Sequence, residues 1–442
     1  MRQNLQNTKS CSTKYFRRLR VPLGFPQGSP EQGVVRSNRI GRAISFLQSR
    51  HYAVISIYPS LLLRYSCHEE IVETAKMPFD QLDRFKVHCK PLKERPNKVH
   101  IETDHVPADA TPKPLGAAGD TAITEIVKRL ITARETGASR MLAFGAHSIK
   151  NGLAPVFTKL IADGWITHLA TNGAGIIHDW EFAYQGHSSE DVRANVTRGE
   201  FGTWHETGFY INLAILVGAY KGLGYGESVG ALVEKEGLQI PTEQELIDTV
   251  KMLVESDSDR AASAADLLTH VRAFDLNPGW LFVPHPYKKY GLQSAAYKLG
   301  IPYTGHPMIG HDIIYVHPMN HCAAIGRTAQ RDFLYYANGV SNIEGGVYIS
   351  IGSAVMSPMI FEKSLSMSQN LAIQQGKHID NHFMMIIDLA KSHWDWSKGE
   401  PPADNPDYYM RYNKTFARMG GTMRYLSADN RDFLLTLSHA LS

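Results

Sequence analysis

The chain has 442 residues, of which 43% are hydrophobic and 20% are charged, an ordinary composition for a soluble globular protein. Its formal net charge of +3 is unevenly spread. Residues 1–68 contain eleven Arg and Lys but a single acid, Glu31, which leaves −7 for the remainder. This mildly acidic remainder argues against nucleic-acid binding through a basic face. The longest apolar run, residues 53–63, is too short for a membrane span.

The cysteines carry no recognisable metal or redox motif. There are four of them, none in a C-x-x-C pair: Cys11, Cys67, Cys89 and Cys322. This usage favours a reducing compartment, and we expect a cytoplasmic protein.

Three segments differ in composition. Residues 1–76 are basic and nearly free of acids, which is typical of a transit peptide, of a disordered basic arm, or of a wrongly chosen start with Met77 as the true one. We favour the last explanation. Residues 77–119 contain several prolines and are predicted to form an extended arm. Residues 120–442 are predicted to form the enzyme domain.

Helix and strand patterns alternate from Asp120 onward. Apolar residues at helical spacing predict helices, and short apolar runs predict buried strands. Strands separated by helices of ten to fifteen residues predict βαβ units. We therefore expect an α/β fold with a doubly wound, mostly parallel sheet of Rossmann-like topology. The helices are predicted at 120–136, 152–164, 242–256 and 259–274, and the strands at 140–147, 166–175, 278–286 and 346–355.

Three of these predicted strands end in small residues. In a doubly wound sheet the ligand lies at the carboxyl ends of the strands, and small residues let the backbone approach a pyrophosphate. One such turn is weak evidence, but three in one domain favour a nucleotide pocket. The candidate cofactor-binding residues are Gly145, Ala146, His147, Asn172, Gly173, Ala174, Gly175, Gly352, Ser353 and Ala354.

Histidines and acids follow the turns. His178, Asp179 and Glu181 come after the second turn, and a further His-rich stretch covers residues 306–321. Most such histidines satisfy buried polar groups rather than bind ligands. His306, His311 and Asp312 could converge on a metal, but their spacing matches no familiar metal motif, and we predict no metal site.

The order of these segments resembles the deoxyhypusine synthase family over roughly residues 120–440. The matching segments are the GAHSIKNG turn, the TNGAGIIHD turn, the GHDIIY stretch, the GSAV turn and a Pro-Asp segment that leads to Lys414. The resemblance implies an NAD cofactor. It also implies a transferase that moves an aminoalkyl group from a polyamine such as spermidine to an amine acceptor through a lysine imine.

The resemblance also implies roles for residues. Lys414 matches the imine-forming nucleophile, Asp312 the acid that binds the substrate ammonium, and Asp179 an acid beside the second turn. The chain departs from the family at His178 and Tyr408, where the family has acids. Burying an unpaired ammonium group is costly, so these losses weaken a spermidine substrate more than they weaken NAD.

Two other functions stay open. The first is an NAD-dependent oxidoreductase or lyase on another small substrate, with His178, Asp179 and Asp312 as acid and base groups. The second is a non-catalytic nucleotide-binding protein. For partners we expect a small-molecule amine substrate, with a protein lysine as one candidate acceptor, and neither nucleic acid nor membrane. The resemblance further implies a homotetramer.

Overall fold

A parallel sheet occupies the middle of the fold. The computed structural model describes residues 79–442, so the three explanations for residues 1–76 lie outside the described residues. The strands of the described part are β1 Val99–His100, β2 Arg140–Phe144, β3 His168–Asn172, β4 His187–Ser188, β5 Gly237–Ile240, β6 Gly279–Phe282, β7 Tyr303–His306, β8 Val347–Ile351, β9 Phe383–Asp388 and β10 Thr422–Ser427.

Helices connect and flank these strands. They are α1 Ile101–Asp104, α2 Gly116–Glu135, α3 Ala146–Lys150, α4 Ala154–Ala162, α5 Gly173–Gln185, α6 Val192–Arg198, α7 His205–Lys221, α8 Tyr225–Lys235, α9 Glu243–Leu253, α10 Ser258–Ala273, α11 Leu292–Leu299, α12 Cys322–Ser341, α13 Met356–Gln374, α14 Arg411–Ala417 and α15 Asn430–Ala440. In residues 79–442, none of the helices is both long enough and apolar enough to cross a membrane.

Six strands form the main sheet in the order β10-β9-β8-β2-β3-β7, and all neighbours are parallel. The chain enters at β2, continues through β3 to β7 at one edge, and then returns to β8 on the other side of β2. Counted in chain order from one edge, the strands therefore lie 3-2-1-4-5-6, the Rossmann order with its switch point between β2 and β8. This confirms the predicted α/β fold and doubly wound parallel sheet.

One predicted strand does not belong to this sheet. The apolar run at 278–286 yields β6, which pairs antiparallel with β5 in a separate two-stranded ribbon. Trp280 and Phe282 of β6 are 51% and 62% exposed. The run is apolar, but one face of β6 is exposed to solvent and the strand lies outside the parallel sheet. The prediction that it belongs to the parallel sheet was therefore wrong.

The core covers both faces of the sheet, as a doubly wound fold requires. On one face β2, β3 and β8 pack against α2, α4, α5 and α15 through residues such as Phe144, Phe157 and Trp180. On the other face Tyr336, Tyr348 and Phe361 join α12 and α13 to the strands. All of these side chains are at most 1% exposed. The carboxyl ends of the strands are thereby held rigidly.

The proline-rich segment packs closely against the rest of the protein. Residues 81–442 form a single compact unit, so residues 81–119 belong to the same body as the sheet. Leu92 and Ile101 are both 1% exposed and join the core. Arg95, also buried, forms a two-pronged ion pair with Glu181 of α5, with N–O distances of 2.7 and 2.6 Å. The segment thus supplies a buried charged side chain, Arg95, that is paired with α5 through Glu181.

Candidate functional site

The three predicted turns meet in one cavity of about 360 Å³. It lies at the carboxyl ends of β2, β3 and β8, which is the switch point of the sheet. Ligands of doubly wound proteins bind at this position. The residues that line the cavity are Gly145, Ala146, His147, Lys150, Asn172, Ala174, His178, Gly352, Ser353, Ala354, Val355 and Met356.

The backbones of the turns approach each other too closely for side chains. A Cβ at Gly145 would lie 2.1 Å from the carbonyl oxygen of Gly352. Gly352 itself has φ +53°, in the left-handed region where glycine is favoured. A Cβ at Gly175 would lie 2.2 Å from Oγ1 of Thr171. Glycine is therefore required at 145 and 352, where the two turns meet, and at 175, where α5 packs against the end of β3.

Helix α5 begins at the cavity wall. Asn172 caps it, because its Oδ1 accepts a hydrogen bond from the Gly175 amide at 3.0 Å. Gly173 and Gly175 are buried within the first turn and do not line the cavity, whereas Asn172 and Ala174 do. The positive end of the dipole of this thirteen-residue helix therefore faces the cavity. Such an end favours an anionic group.

The ionisable side chains that line the cavity are basic or neutral. They are His147, Lys150 and His178, and no carboxylate is found among the lining residues. Lys150 and the α5 dipole together make this wall attractive to phosphate.

His178 is connected to the interior by hydrogen bonds. Its Nδ1 lies 2.7 Å from Oγ of Ser188, whose hydroxyl donates to Oε2 of Glu181 at 2.6 Å. Glu181 also accepts from Arg95 and from Thr207. Burial alone would raise the pKa of the Glu181 carboxyl, but the charge and hydrogen bonds of Arg95 lower it below its usual value. Glu181 is therefore a carboxylate.

Asp312 lies beside the start of α5, in the loop after β7. A Cβ at Gly173 would be only 2.1 Å from its Oδ2, so carboxyl and helix are in close contact. Oδ2 is buried and has no hydrogen-bond partner within residues 79–442. Burial raises the pKa of this carboxyl to about 7. The buried hydroxyls of Tyr225 and Tyr315, which interact electrostatically with it, also have no partner there.

Asp179, the predicted acid of the second turn, faces away from the cavity. It is 1% exposed and its two oxygens accept hydrogen bonds from the backbone amides of Leu292 and Gln293, at 2.9 and 2.8 Å. It thus caps α11. Burial raises its pKa to about 6, against the opposing effect of these amides. Its catalytic role stays a prediction.

Lys414 lies on α14 and is not among the residues that line the cavity. Its Nζ is 2.7 Å from Oε1 of Glu400 and 3.3 Å from the ring centroid of Tyr408. The pKa of Lys414 is raised, because the hydrogen bonds to Glu400 and Tyr408 outweigh desolvation. An imine-forming lysine needs the opposite shift. Its role as a nucleophile stays a prediction.

The predicted His and Asp residues around 306–312 do not gather on one point. His306 is buried and its Nε2 lies 2.9 Å from Oγ1 of Thr304, with its pKa lowered by burial to about 3. His311 is exposed. Across the described residues, no set of three or more His, Cys, Asp or Glu side chains is arranged to hold a metal ion.

Sequence reasoning missed several residues of the site. Lys150, Val355 and Met356 line the cavity immediately beside predicted residues, and the predicted turns already pointed to them. No sequence pattern pointed to Ser188 or Arg95. They lie 10 and 83 positions from His178 in the sequence, and only the folded chain brings them near it.

The fold and the cavity define a doubly wound α/β protein with a ligand site at its switch point. No protein-family model matches the chain. A search of curated proteins likewise finds no match.

Several solved structures resemble the chain weakly. A conserved LOR/SDH protein from Methanococcus maripaludis S2 is 14% identical with TM-score 0.38, over 76% of this chain and 72% of that one. AgrE in its ternary complex with ornithine and NAD⁺ is 13% identical with TM-score 0.37, over 74% and 33%. ArgZ, a cyanobacterial arginine dihydrolase, is 13% identical with TM-score 0.34, over 73% and 32%. The chain spans about a third of the latter two. Likenesses this weak assign neither a family nor an activity.

Proposed function

We propose that this protein is an NAD-dependent oxidoreductase that acts on a small amine. The observation that carries this proposal is the cavity at the switch point of a Rossmann-ordered sheet, built by three turns of small residues. Nicotinamide dinucleotides bind to this fold at this position. When bound, the dinucleotide supplies the hydride acceptor, and the protein supplies binding, orientation and charge.

The residues present fit such a cofactor. The Gly145 and Gly352 backbones pack together without room for a Cβ, and both line the cavity, so a dinucleotide would meet backbone there instead of side chains. Ala174 on the first turn of α5 and the Lys150 ammonium would hold the phosphates. Rossmann proteins that bind NAD have an acid for the ribose hydroxyls after the second strand. Here β3 ends in Asn172, whose amide could hydrogen-bond the ribose without a charge.

The amine substrate is proposed from Asp312. Its Oδ2 is buried without a hydrogen-bond partner among residues 79–442, which disfavours the ionised carboxylate, and an ammonium group beside it would favour that form. Gly173, in contact with Asp312, lies between Asn172 and Ala174, which line the cavity. A substrate held by Asp312 would therefore lie next to the dinucleotide. Asp312 would take a proton from the ammonium, and hydride would then pass from the carbon that bears the nitrogen to the dinucleotide, which turns the neutral amine into a protonated imine.

Dinucleotide binding is tested by titrating the purified protein with NADH and following its fluorescence, with NAD⁺, NADP⁺ and ADP as competitors. Two nearly isosteric variants separate charge from volume. Ala174→Glu places a carboxylate against the phosphates and should weaken binding by tenfold or more beyond Ala174→Gln. The reason is that like charges in close contact cost several kcal/mol, and about 1.4 kcal/mol already corresponds to a tenfold change in affinity. Equal effects of the two variants would contradict phosphate binding at α5.

Amine oxidation is tested by NADH formation at 340 nm with a panel of small amines that includes spermidine and ornithine. Asp312→Asn should abolish or strongly reduce turnover and leave the NADH affinity unchanged. Dinucleotide binding without turnover of any amine would favour a non-catalytic nucleotide-binding protein. Absence of any dinucleotide binding by the wild-type protein would refute the proposal as a whole.

A transferase of the deoxyhypusine synthase type is the second candidate. It is supported by the position of Lys414 after the Pro-Asp segment, but Glu400 and Tyr408 keep this lysine protonated. Borohydride reduction after incubation with NAD and spermidine, followed by intact mass, decides between the two. A four-carbon amine adduct that disappears in Lys414→Ala would favour the transferase. The protein-lysine acceptor and the homotetramer are proposals that depend on this candidate.

A further inference from the structure

His178 stands where the resembled family has an acid, and its ring is held from behind by buried polar groups. We propose that Ser188 and Glu181 fix His178 as the Nδ1–H tautomer, so that its bare Nε2 faces the cavity as a neutral acceptor for an N–H or O–H group of the ligand. The identity of that ligand, a nicotinamide dinucleotide, rests on the proposed function. The tautomer of His178 is independent of the proposed function, because it follows from the hydrogen bonds of Ser188 and Glu181.

The tautomer follows from counting hydrogens. The Ser188 hydroxyl has one hydrogen, and it is donated to Oε2 of Glu181 at 2.6 Å. Glu181 is a carboxylate that can only accept, so this direction cannot be reversed. Oγ of Ser188 therefore has only lone pairs left for His178, whose Nδ1 lies 2.7 Å away. Nδ1 must then carry the hydrogen, which leaves Nε2 without one in the neutral ring.

The buried ion pair keeps this arrangement from inverting. Arg95 and Glu181 are 5% and 1% exposed and share two hydrogen bonds. A protonated Glu181 could donate back to Ser188 and free its hydroxyl for His178, but the charge of Arg95 opposes protonation. Ser188 is itself fully buried and part of β4, so it cannot turn away.

The other ring nitrogen is available to a ligand. Nε2 makes no hydrogen bond within the described residues, and it is not one of the buried atoms without a partner. Because His178 lines the cavity, Nε2 is reached from there.

The ring stays neutral over the physiological range. Burial lowers the pKa of His178 to about 4. The charge of Glu181 opposes this shift, and the charges of Lys150, Arg95 and His147 add to it. A neutral acceptor recognises hydroxyl and amide donors, and it offers no charge to a phosphate.

The tautomer is tested first, on the full chain without ligand. Nitrogen-15 NMR of histidine-labelled protein should show a hydrogen on Nδ1 and a bare Nε2 for His178 between pH 7 and pH 5, with the signal assigned by its loss in His178→Gln. Ser188→Ala should let the Nε2–H form appear, and Ser188→Thr, which keeps the hydroxyl, should retain the wild-type signal. A proton on Nε2 in the wild-type protein, or no change in Ser188→Ala, would overturn the inference.

The acceptor role is tested by binding. His178→Phe keeps a ring but removes the acceptor, and should weaken NAD⁺ binding by about tenfold, the value of one hydrogen bond and an unpaired ligand donor. His378→Gln, an exposed histidine outside the site, serves as the control. Two probes identify the donor. An acetylpyridine analogue of NAD⁺ lacks the carboxamide N–H of the nicotinamide, and NADP⁺ lacks the 2′-hydroxyl of the adenosine ribose.

The probe that lacks the true donor should bind equally to wild-type protein and to His178→Phe. Equal NAD⁺ affinity of these two proteins would overturn the inference while leaving the proposed function intact. Failure of the wild-type protein to bind any dinucleotide would instead refute the proposed function, with the NMR result unaffected.

Discussion

Gly145 follows β2 and packs against Gly352, which follows β8, so replacing Gly145 with alanine tests the switch-point site directly. The new Cβ would lie 2.1 Å from the Gly352 carbonyl oxygen, so the two turns would have to separate by about 1.3 Å to reach the ordinary contact range of 3.4 Å or more. The neighbouring atoms are backbone, so no side-chain rotation relieves the overlap. We expect Gly145→Ala to lower the free energy of unfolding by about 1–3 kcal/mol, the usual cost of overpacking. It should also weaken dinucleotide binding, because the separating turns line the cavity.

Gly326 provides the matched control. It lies in α12, is exposed, and a Cβ there would meet no atom within 4 Å. Because glycine is a poor helix former, Gly326→Ala should raise the free energy of unfolding by about 0.5–1 kcal/mol. The same glycine-to-alanine substitution should thus lower the free energy of unfolding at position 145 and raise it at position 326.

Both effects are measured by urea denaturation followed by circular dichroism, together with NADH titration of each variant. If Gly145→Ala unfolded at the wild-type urea concentration and bound NADH with wild-type affinity, the turns would not be packed as described. If both variants lost stability equally, the difference in steric surroundings would not be the cause.

Three further predictions concern buried charges. Because the pKa of Asp312 is raised in the folded protein, its ionisation destabilises the fold as pH rises from about 4 to about 7. Asp312→Asn should therefore increase the free energy of unfolding at pH 8 but hardly at pH 4, as urea denaturation at both pH values would show. Arg95→Met should cost about 3–5 kcal/mol, because it leaves Glu181 charged and unpaired, and adding Glu181→Gln should recover part of this loss in the same assay. Asp179→Ala should cost about 2–3 kcal/mol, since two buried amides lose their acceptor, without changing NADH affinity. An Asp179→Ala protein of normal stability would show that these amides find other partners.

Much of the fold was predictable because its signals are local. The strands β2, β3 and β8 are buried on both faces and read as short apolar runs, each followed by small residues. Since parallel strands place their carboxyl ends at one edge of a sheet, three such turns predict one pocket. The predicted helices at 120–136 and 242–256 correspond to α2 and α9. The capping box of α9, formed by Thr242 and Glu245, is also a local pattern.

Other elements could not be placed from the sequence. The run that forms β6 is as apolar as a central strand, yet it joins an antiparallel ribbon, and apolar character alone does not say which sheet a strand joins. The strand β7 has only four residues and contains Gly305, so it gave no periodic signal. The strand β9 is an uninterrupted apolar run, but it was not among the predicted strands. The hydrogen bonds that connect Arg95 to His178 through Glu181 and Ser188 join residues at irregular separations along the chain, so no sequence pattern predicts them.

One helix relates the parts of the site to each other. At the start of α5, Asn172 and Ala174 line the cavity and Gly173 contacts Asp312, while one turn further on His178 lines the cavity again and Glu181 anchors the interior. Ala174, His178 and Glu181 share this helix, and Asp312 and Ser188 contact it, so a movement of α5 would affect all of them. We expect each variant to change one property: substitution of Asp312 should change amine turnover, substitution of Ala174 should change dinucleotide affinity, and substitution of Ser188 should change the tautomer of His178. A variant of α5 that altered all three together would act by moving the helix, and a loss of stability would accompany it.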